Sequence, residues 1–339
     1  MSTSVVGDWA RLLSLSPKAA LAAIGLSPKT GWEDFGDTSF AQLADDVEAA
    51  CLRAGIRVVF AGDPEFPRRL LLHGGAPPLL FMSGQAGTAG RAVAMVGSRR
   101  PEGGFLLVAR GLARQIAEAG VAVVSGAAEG VDEACHEGAL AVSGETLAFV
   151  AGGLDSLGAG AARRVQRIIH GGGSVWSEFP PGVAPTKGAF PRRNRWIAAV
   201  ADAVWVLRAG EASGSLYTAA AAREMQIPVF AMPGPLGKSV TEGCERLIAT
   251  GNAQPATRAD TLLRALDLVP AASKGTCLPS DASATAQQLF AELPAQGATL
   301  EGLEGRFPTL PSWALRSALV ELELLGRVVQ HPGKQYEKV

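Results

Sequence analysis

Residues 91–126 read RAVAMVGSRRPEGGFLLVARGLARQIAEAGVAVVSG, and this stretch decides the fold class. An apolar run at Ala92–Val96 predicts a strand, the apolar spacing in Phe105–Ala119 predicts a helix, and Val121–Ser125 predicts a second strand. Short, almost wholly apolar strands alternate with helices when a parallel sheet is covered on both faces. The stretch therefore predicts a doubly wound, Rossmann-like α/β sheet with right-handed crossovers.

The alternation of predicted strands and helices continues on both sides of this stretch. Further strands are expected at Arg57–Phe60, Leu79–Met82, Thr146–Val150, Ser174–Trp176, Ala203–Leu207 and Val229–Ala231. Further helices are expected at Val131–Ala141, Arg163–His170, Arg195–Val200 and Tyr217–Met225. Together these elements predict an extended Rossmann-like domain over residues 57–268.

The two ends of the chain have a different pattern. Residues 1–56 alternate short helical patterns with turn signals, the third pattern being Phe40–Leu52, and predict a small helical domain. Residues 269–283 are rich in Pro, Ala and Ser and predict a linker. Residues 284–339 then show three helical patterns and a hairpin, which is typical of a winged-helix domain. Its elements are expected at Ala284–Leu293, Leu300–Phe307, Ser312–Leu325, Arg327–Gln330 and Lys334–Glu337.

Composition excludes several classes of protein. The chain has 339 residues, 47% of them hydrophobic, so it is not intrinsically disordered. The net charge is −1, which excludes a protein that coats nucleic acid through its overall charge, although residues 86–280 carry 19 Lys/Arg against 16 Asp/Glu, or +3. No long uncharged apolar run and no signal peptide are present, and none of the four cysteines forms a CxxC pair. We therefore expect a cytoplasmic protein with free thiols and no membrane span.

Residues 185–195, PTKGAFPRRNR, predict a basic loop broken by Pro and Gly. Four cations surround its single aromatic residue, Phe190: they are Lys187, Arg192, Arg193 and Arg195. Cations and an exposed ring suit single-stranded nucleic acid, whose phosphates bind the charges and whose bases stack on the ring. Two alternatives stay open: the loop is simply solvated, or Phe190 packs in the core while Arg193 and Arg195 form structural ion pairs.

Three turns follow predicted strands and should lie at one edge of the sheet. They are VAMVGSR at 93–99, SGAAEGVD at 125–132 and SGSLYT at 213–218. The Gly-Ser turn of the first exposes backbone N–H groups at a helix N-terminus, and Arg99 adds a charged fork that fits phosphate oxygens. Each turn is equally well explained as an ordinary turn with a helix N-cap. Their convergence on one edge favours a phosphate-binding pocket.

Motifs for catalysis are missing. The chain has no GxGxxG fingerprint, no GxxxxGK[ST] loop, no HExxH and no GxSxG. Glu178 is a candidate acid, although a surface or capping role explains it better. We therefore expect no bound cofactor, no metal and no enzymatic activity.

Seven motifs in order resemble the DprA (Smf) DNA-processing family. Over Val93–Gly234 they are VGSR, SGAAEGVDEACHEGAL, GETLAFVAGGLD, SEFPPG, FPRRNR, SGSLYTAA and VFAMPG. Two departures occur: the residues after Asp155 read SLGAGAARR in place of the family's Tyr-Pro turn, and the family's SGLAxGID reads SGAAEGVD, with Glu129 near the proposed groove.

The resemblance implies a function and a site. It implies an extended Rossmann-like domain that binds single-stranded DNA, forms a homodimer, and loads RecA during natural transformation or repair, with an N-terminal domain of the SAM or helix-hairpin-helix type. Carried over residue by residue, the implied DNA-binding positions are Gly97, Ser98, Arg99, Lys187, Phe190, Arg193 and Asn194.

Two other classes of function remain as alternatives. Rossmann-like nucleoside-monophosphate phosphoribohydrolases of the lysine-decarboxylase-like group share such a sheet and are expected to show PGGxGTxxE. The corresponding residues here read SGSLYTAAAAREM, without the double Gly. The other alternative is an interaction scaffold whose acidic end domains recruit partners.

Overall fold

The computed structural model describes residues 40–87, 90–102, 104–234, 238–268, 282–294, 297–325, 327–331 and 335–338. The chain divides into two compact units, Met1–Leu268 and Val269–Val339. The first unit contains the large sheet and the candidate site, and the second contains a small helical bundle with its own sheet.

Nine strands of the first unit form one sheet. They are β1 (Arg57–Phe60), β2 (Leu79–Gly84), β3 (Ala92–Gly97), β4 (Ala122–Ser125), β5 (Thr146–Phe149), β6 (Ser174–Ser177), β7 (Ala203–Arg208), β8 (Val229–Ala231) and β9 (Gln254–Pro255). The helices are α1 (Phe40–Ala54), a 3₁₀ turn (Arg68–Leu72), α2 (Phe105–Glu118), α3 (Val131–Leu140), α4 (Ala159–His170), α5 (Ala189–Ala199), α6 (Ser215–Glu224), α7 (Glu242–Ala249) and α8 (Ala259–Ala265).

The strand order is β1-β2-β6-β5-β4-β3-β7-β8-β9. Strands β3 to β9 pair in parallel, and the antiparallel hairpin β1–β2 extends the sheet beyond β6. From β3 the chain winds outward to β6, then returns through α5 to place β7 on the other side of β3. This reversal of strand order opens a crevice beyond the carboxyl ends of β3 and β7.

Side chains alternate in direction along the central strands, and both faces of the sheet are buried. In β3, Ala92, Ala94 and Val96 point into one core, and Val93 and Met95 point into the other. Residues of α5, α6 and α7 complete the first core, and residues of α2, α3 and α8 complete the second. The predicted doubly wound, parallel α/β sheet is confirmed.

The predicted loop over 185–195 is wrong for its second half. Helix α5 begins at Ala189, six residues before the predicted helix at Arg195–Val200, and carries Phe190 and the arginines. Pro191 is tolerated because it lies in the first turn, where a backbone N–H has no intrahelical partner to lose. Pro191, which taken alone favours a loop, therefore lies at the start of a helix here.

Other boundaries also differ from the sequence-based expectation. Helix α4 begins at Ala159 rather than Arg163, and α7, β9 and α8 were not predicted at all. These last three elements are too short for the spacing of their apolar residues to identify them in the sequence. The first two predicted N-terminal helical patterns and most of the predicted linker lie outside the described residues.

The second unit has its own core. It contains α9 (Ala284–Glu292), β10 (Ala298–Thr299), α10 (Leu300–Arg306), α11 (Ser312–Leu324), β11 (Val328–His331) and β12 (Gln335–Lys338). The three strands form an antiparallel sheet in the order β10-β12-β11. Ser283 and Thr299 cap α9 and α10 by accepting hydrogen bonds from Ala286 N and Gly302 N. Across the described residues, no helix has the length and apolar character needed to cross a bilayer.

His136 of α3 is a buried, neutral histidine beneath the sheet. Its Nδ1 lies 2.7 Å from Thr146 Oγ1, and that hydroxyl donates to the carbonyl of Val123, so Nδ1 carries the proton. Nε2 is buried without a hydrogen-bond partner. Burial, with a further contribution from the charge of Arg193, lowers the pKa of His136 to about 3.

The lowered pKa of His136 predicts acid destabilisation. The contribution of neutral His136 to the free energy of unfolding is complete above the ordinary histidine pKa of 6.5. This contribution is lost as the pH falls toward the folded-state pKa of about 3. About 2 kcal/mol of unfolding free energy should be lost between about pH 7 and pH 5 from this group alone. Denaturant unfolding of His136→Gln at both pH values should lack this loss, and the surface variant His170→Gln should retain it. An unchanged loss in His136→Gln would contradict the assignment.

Candidate functional site

A cleft of about 750 Å³ lies at the reversal of strand order. Its lining comes from the turns that follow β3, β4 and β7 and from the first turns of α3, α5, α6 and α7. Six of the seven predicted site residues line it: Gly97, Ser98, Arg99, Phe190, Arg193 and Asn194. The structure thus brings together turns that are far apart in the sequence, and a cleft of this size fits a ligand larger than a single phosphate.

The turn after β3 is held close to its neighbours by backbone contacts. Ser98 N donates to the carbonyl of Arg208 at 2.7 Å, and Val131 N donates to the carbonyl of Ser98 at 3.1 Å. Gly130 has φ +88°, and a Cβ there would lie 2.6 Å from the carbonyl oxygens of Ser98 and Arg99. Only glycine allows α3 to begin this close to the turn.

Arg99 and Phe190 meet at the mouth of the cleft. The Arg99 Cζ atom lies 5.7 Å from the centroid of the Phe190 ring, within the range of a cation–π contact. Phe190 is partly exposed in the first turn of α5, and Arg99 is exposed. No carboxylate pairs with Arg99 in the described part of the chain, so its charge is available to a ligand.

The four cations of residues 185–195 have different environments. Arg192 forms an ion pair with the buried carboxylate of Glu178 at 2.6 Å, and Arg195 donates to the carbonyl of Gly74 at 2.9 Å. Lys187 is exposed, has no hydrogen bond or ion pair to any described residue, and lies outside the cleft lining. It precedes Phe190 by three residues, so their Cα atoms are at most about 11 Å apart.

Arg193 lies at the base of the cleft. Its residue exposure is only 6%, and its Nη1 donates to the carbonyls of Gly126 at 2.6 Å and Phe149 at 2.9 Å. Burial lowers the pKa of Arg193 to about 10, against the opposing effect of the nearby Asp132 carboxylate. Asp132 is also buried, and burial raises its pKa although Arg193 and three backbone N–H groups oppose the shift.

Asn194 joins α5 to the turn before α6. Its Nδ2 donates to the carbonyl of Gly214 at 3.0 Å, and Asn194 itself is 9% exposed. The hydroxyls of Ser213 and Ser215 lie 2.8 Å apart in the same turn, and both residues line the cleft with Thr218. The predicted SGSLYT turn therefore contributes hydroxyl groups and the N-terminus of α6 to the cleft wall.

Sequence reasoning missed part of the lining. Arg100, Glu211 and Glu242 also line the cleft, and all three are exposed. Glu211 follows β7 and forms an ion pair with Arg246 at 3.5 Å, and Glu242 begins α7. The sequence signal for Glu242 is weak, because it depends on the unpredicted helix α7. The lining of the cleft therefore carries both signs of charge.

Metal ligation has no support in the described part of the chain. No group of three or more His, Cys, Asp or Glu side chains converges there. Cys51, Cys135 and Cys244 are buried free thiols, and burial raises the pKa of each.

Comparison with known proteins agrees with the motif order. The family model for DNA recombination-mediator protein A matches residues 57–267. A DprA relative from Mycobacterium tuberculosis is 36% identical over 302 residues, which cover 84% of this chain and 75% of the relative.

Two solved structures share the fold. DNA processing protein A from Streptococcus pneumoniae is 29% identical, with a TM-score of 0.60 over 76% of this chain and 96% of that one. DNA processing protein A from Helicobacter pylori, a protein with a single-stranded-DNA binding mode, is 30% identical, with a TM-score of 0.54 over 59% of this chain and 92% of that one. The present chain belongs to the DNA recombination-mediator protein A (DprA) family.

Proposed function

We propose that this protein binds single-stranded DNA in the cleft beyond β3 and β7 and acts as a recombination mediator rather than an enzyme. The observation that carries the proposal is the contact between Arg99 and Phe190, which come from different motifs. The Arg99 Cζ atom lies 5.7 Å from the centroid of the Phe190 ring. The single-stranded-DNA binding mode of the Helicobacter pylori relative supports the same class of ligand. The proposed site comprises Gly97, Ser98, Arg99, Lys187, Phe190, Arg193 and Asn194.

The phosphates of the strand are proposed to lie on the Arg99 and Lys187 side. Both cations are exposed, and neither is paired with a carboxylate of a described residue. Of the two glutamates in the cleft lining, Glu211 is paired with Arg246, and Glu242 disfavours a phosphate close to it. A few unpaired cations at one site reconcile strand binding with a net charge of only −1 for the whole chain.

A base of the strand is proposed to stack near Phe190. The ring is partly exposed at the cleft, and a base stacked on an aromatic ring contributes about 1–3 kcal/mol. Stacking accepts any base, so this contact adds affinity with little sequence preference.

The remaining parts of the proposal concern domains and partners. We infer a SAM-like or helix-hairpin-helix-like domain over residues 1–56, a Rossmann-like domain over 57–268, a linker over 269–283 and a winged-helix domain over 284–339. The protein is proposed to act in the cytoplasm as a homodimer through the Rossmann-like domain and to load RecA. The exposed face of α11 bears Trp313, Val320 and Leu324, which favours a protein contact over duplex reading for the last domain.

Removal of the two free cations should weaken binding to all sequences alike. In Arg99→Ala/Lys187→Ala, the slope of log K against log salt should become less negative by about 0.7 for each phosphate that the protein no longer neutralises. Fluorescence anisotropy of labelled oligo-dT and of a mixed-sequence strand, at several salt concentrations, measures both quantities. Arg223→Ala, at the far end of α6, is the matched control. Wild-type affinity in the double variant would refute the site.

Loss of the Phe190 ring should weaken binding without changing the charge count. Phe190→Ala should raise the Kd for oligo-dT by about 5- to 150-fold, the equivalent of about 1–3 kcal/mol. Phe190→Trp, which keeps a stacking surface, should remain close to wild type. The salt slope should be unchanged in both variants, and a changed slope would mean that the substitution has displaced Arg99 instead.

The partner proposals have direct measurements. Sedimentation equilibrium should give twice the mass of one chain, and immobilised RecA should retain the full-length protein. Trp313→Ser/Leu324→Ser should reduce RecA retention, because an exposed aromatic anchor carries much of the energy of such contacts. A monomer that RecA does not retain would remove both partners from the proposal.

A further inference from the structure

We propose that Arg193 and Asp132 are positioning residues, which hold the turn of Arg99 and the helix of Phe190 in their binding arrangement without contacting DNA. The inference deepens the proposed function and rests on it for its DNA-binding readout. Both residues line the cleft, and Arg193, which the family resemblance carries over as a DNA-binding position, takes a supporting role within the proposed site.

The hydrogen bonds of Arg193 are made to the protein. Nη1 is shared between the carbonyls of Gly126 and Phe149, at 2.6 and 2.9 Å, and Nε is buried without a partner. Gly126 belongs to the turn after β4, and Phe149 ends β5. The guanidinium therefore ties α5 to the ends of two strands, and the residue is almost wholly buried.

Asp132 makes the complementary set of contacts. Its Oδ2 accepts a hydrogen bond from Gly126 N at 3.1 Å, and the backbone N–H groups of Gly97 and Ala128 also bond to its carboxylate. Gly97 ends β3 and begins the turn that carries Arg99. Asp132 therefore ties α3 to the turns after β3 and β4.

The peptide of Gly126 lies between the two charges. Its N–H donates to Asp132 and its carbonyl accepts from Arg193, so one residue links the carboxylate to the guanidinium. A Cβ at residue 126 would overlap Arg193 Nη1 and lie 2.7 Å from Asp132 Oδ2. A side chain at residue 126 would therefore displace Arg193 or Asp132. We call this set of Asp132, Gly126 and Arg193 the brace.

The brace bears directly on the residues proposed to bind DNA. Arg193 and Phe190 lie one turn apart on α5, and the Arg193 Cζ atom is 6.0 Å from the Phe190 ring centroid. Arg99 lies 5.7 Å from the same centroid. Loss of one charge of the brace leaves the other buried and uncompensated, so the turns around it must rearrange. The spacing of Arg99 and Phe190 depends on both charges.

Recovery in a double variant distinguishes a positioning arginine from a phosphate contact. Oligo-dT titrations at several salt concentrations compare wild type with Arg193→Gln, Arg193→Gln/Asp132→Asn and Arg99→Ala. Arg99→Ala should make the slope less negative by about 0.7. Arg193→Gln should raise the Kd about tenfold or more, and its slope should shift toward that of Arg99→Ala because the turn that carries Arg99 is displaced. The double variant should recover part of this loss, because the uncompensated carboxylate is gone.

A second measurement needs no DNA. Amide hydrogen exchange at residues 97–100 and 126–128 should be faster in Arg193→Gln and partly restored in the double variant, while β8 (Val229–Ala231) should be unchanged. Arg223→Gln is the surface control for both measurements. If Arg193→Gln does not fold, Arg193→Lys, which keeps the charge and offers one nitrogen, is measured in the same way.

Three results would overturn the proposal. They are a wild-type Kd in the folded Arg193→Gln variant, unchanged exchange at the turns, or a double variant whose Kd and exchange are no closer to wild type than those of Arg193→Gln. If the wild-type protein does not bind oligo-dT, the proposed function fails, and hydrogen exchange still decides whether the brace holds the turns.

Discussion

The strand order of the nine-stranded sheet reverses between β3 and β7, and the candidate site depends on this reversal. Successive parallel crossovers on opposite sides of β3 leave no helix directly above the point of reversal, so a crevice forms there. Backbone N–H groups, hydroxyls and the first turns of several helices meet in that crevice because each follows the carboxyl end of a parallel strand. A cleft of about 750 Å³ therefore results from topology before any single side chain is considered.

Within this crevice, close packing of backbone determines where glycine is required. At Gly130 a left-handed φ and two neighbouring carbonyl oxygens exclude any side chain, and at Gly126 the space is filled by a guanidinium and a carboxylate. These glycines let buried charges and backbone turns approach each other. The partly exposed Phe190 and the exposed Arg99 then lie above closely packed turns and the first turn of a helix.

The charges at the cleft are set by individual side chains and not by the net charge of the chain. A net charge of −1 gives no general attraction to a polyanion, so the proposed binding depends on a small number of unpaired cations. Most arginines near the site are already engaged: Arg192 with Glu178, Arg195 with a carbonyl, and Arg193 with two carbonyls. Arg99 and Lys187 are the cations of the predicted site without such partners among the described residues.

The sequence by itself determined the alternation of apolar strands with helices, the turns that end β3, β4 and β7, and the presence of cations around Phe190, because these are local patterns. It did not determine that α5 begins at Ala189, that α7 brings Glu242 to the cleft, or that Arg193 is buried while Arg99 is exposed. Two arginines in similar basic motifs look alike in sequence. Only the tertiary structure separated them, because burial and hydrogen bonding arise from segments that are distant in the chain and adjacent in the fold.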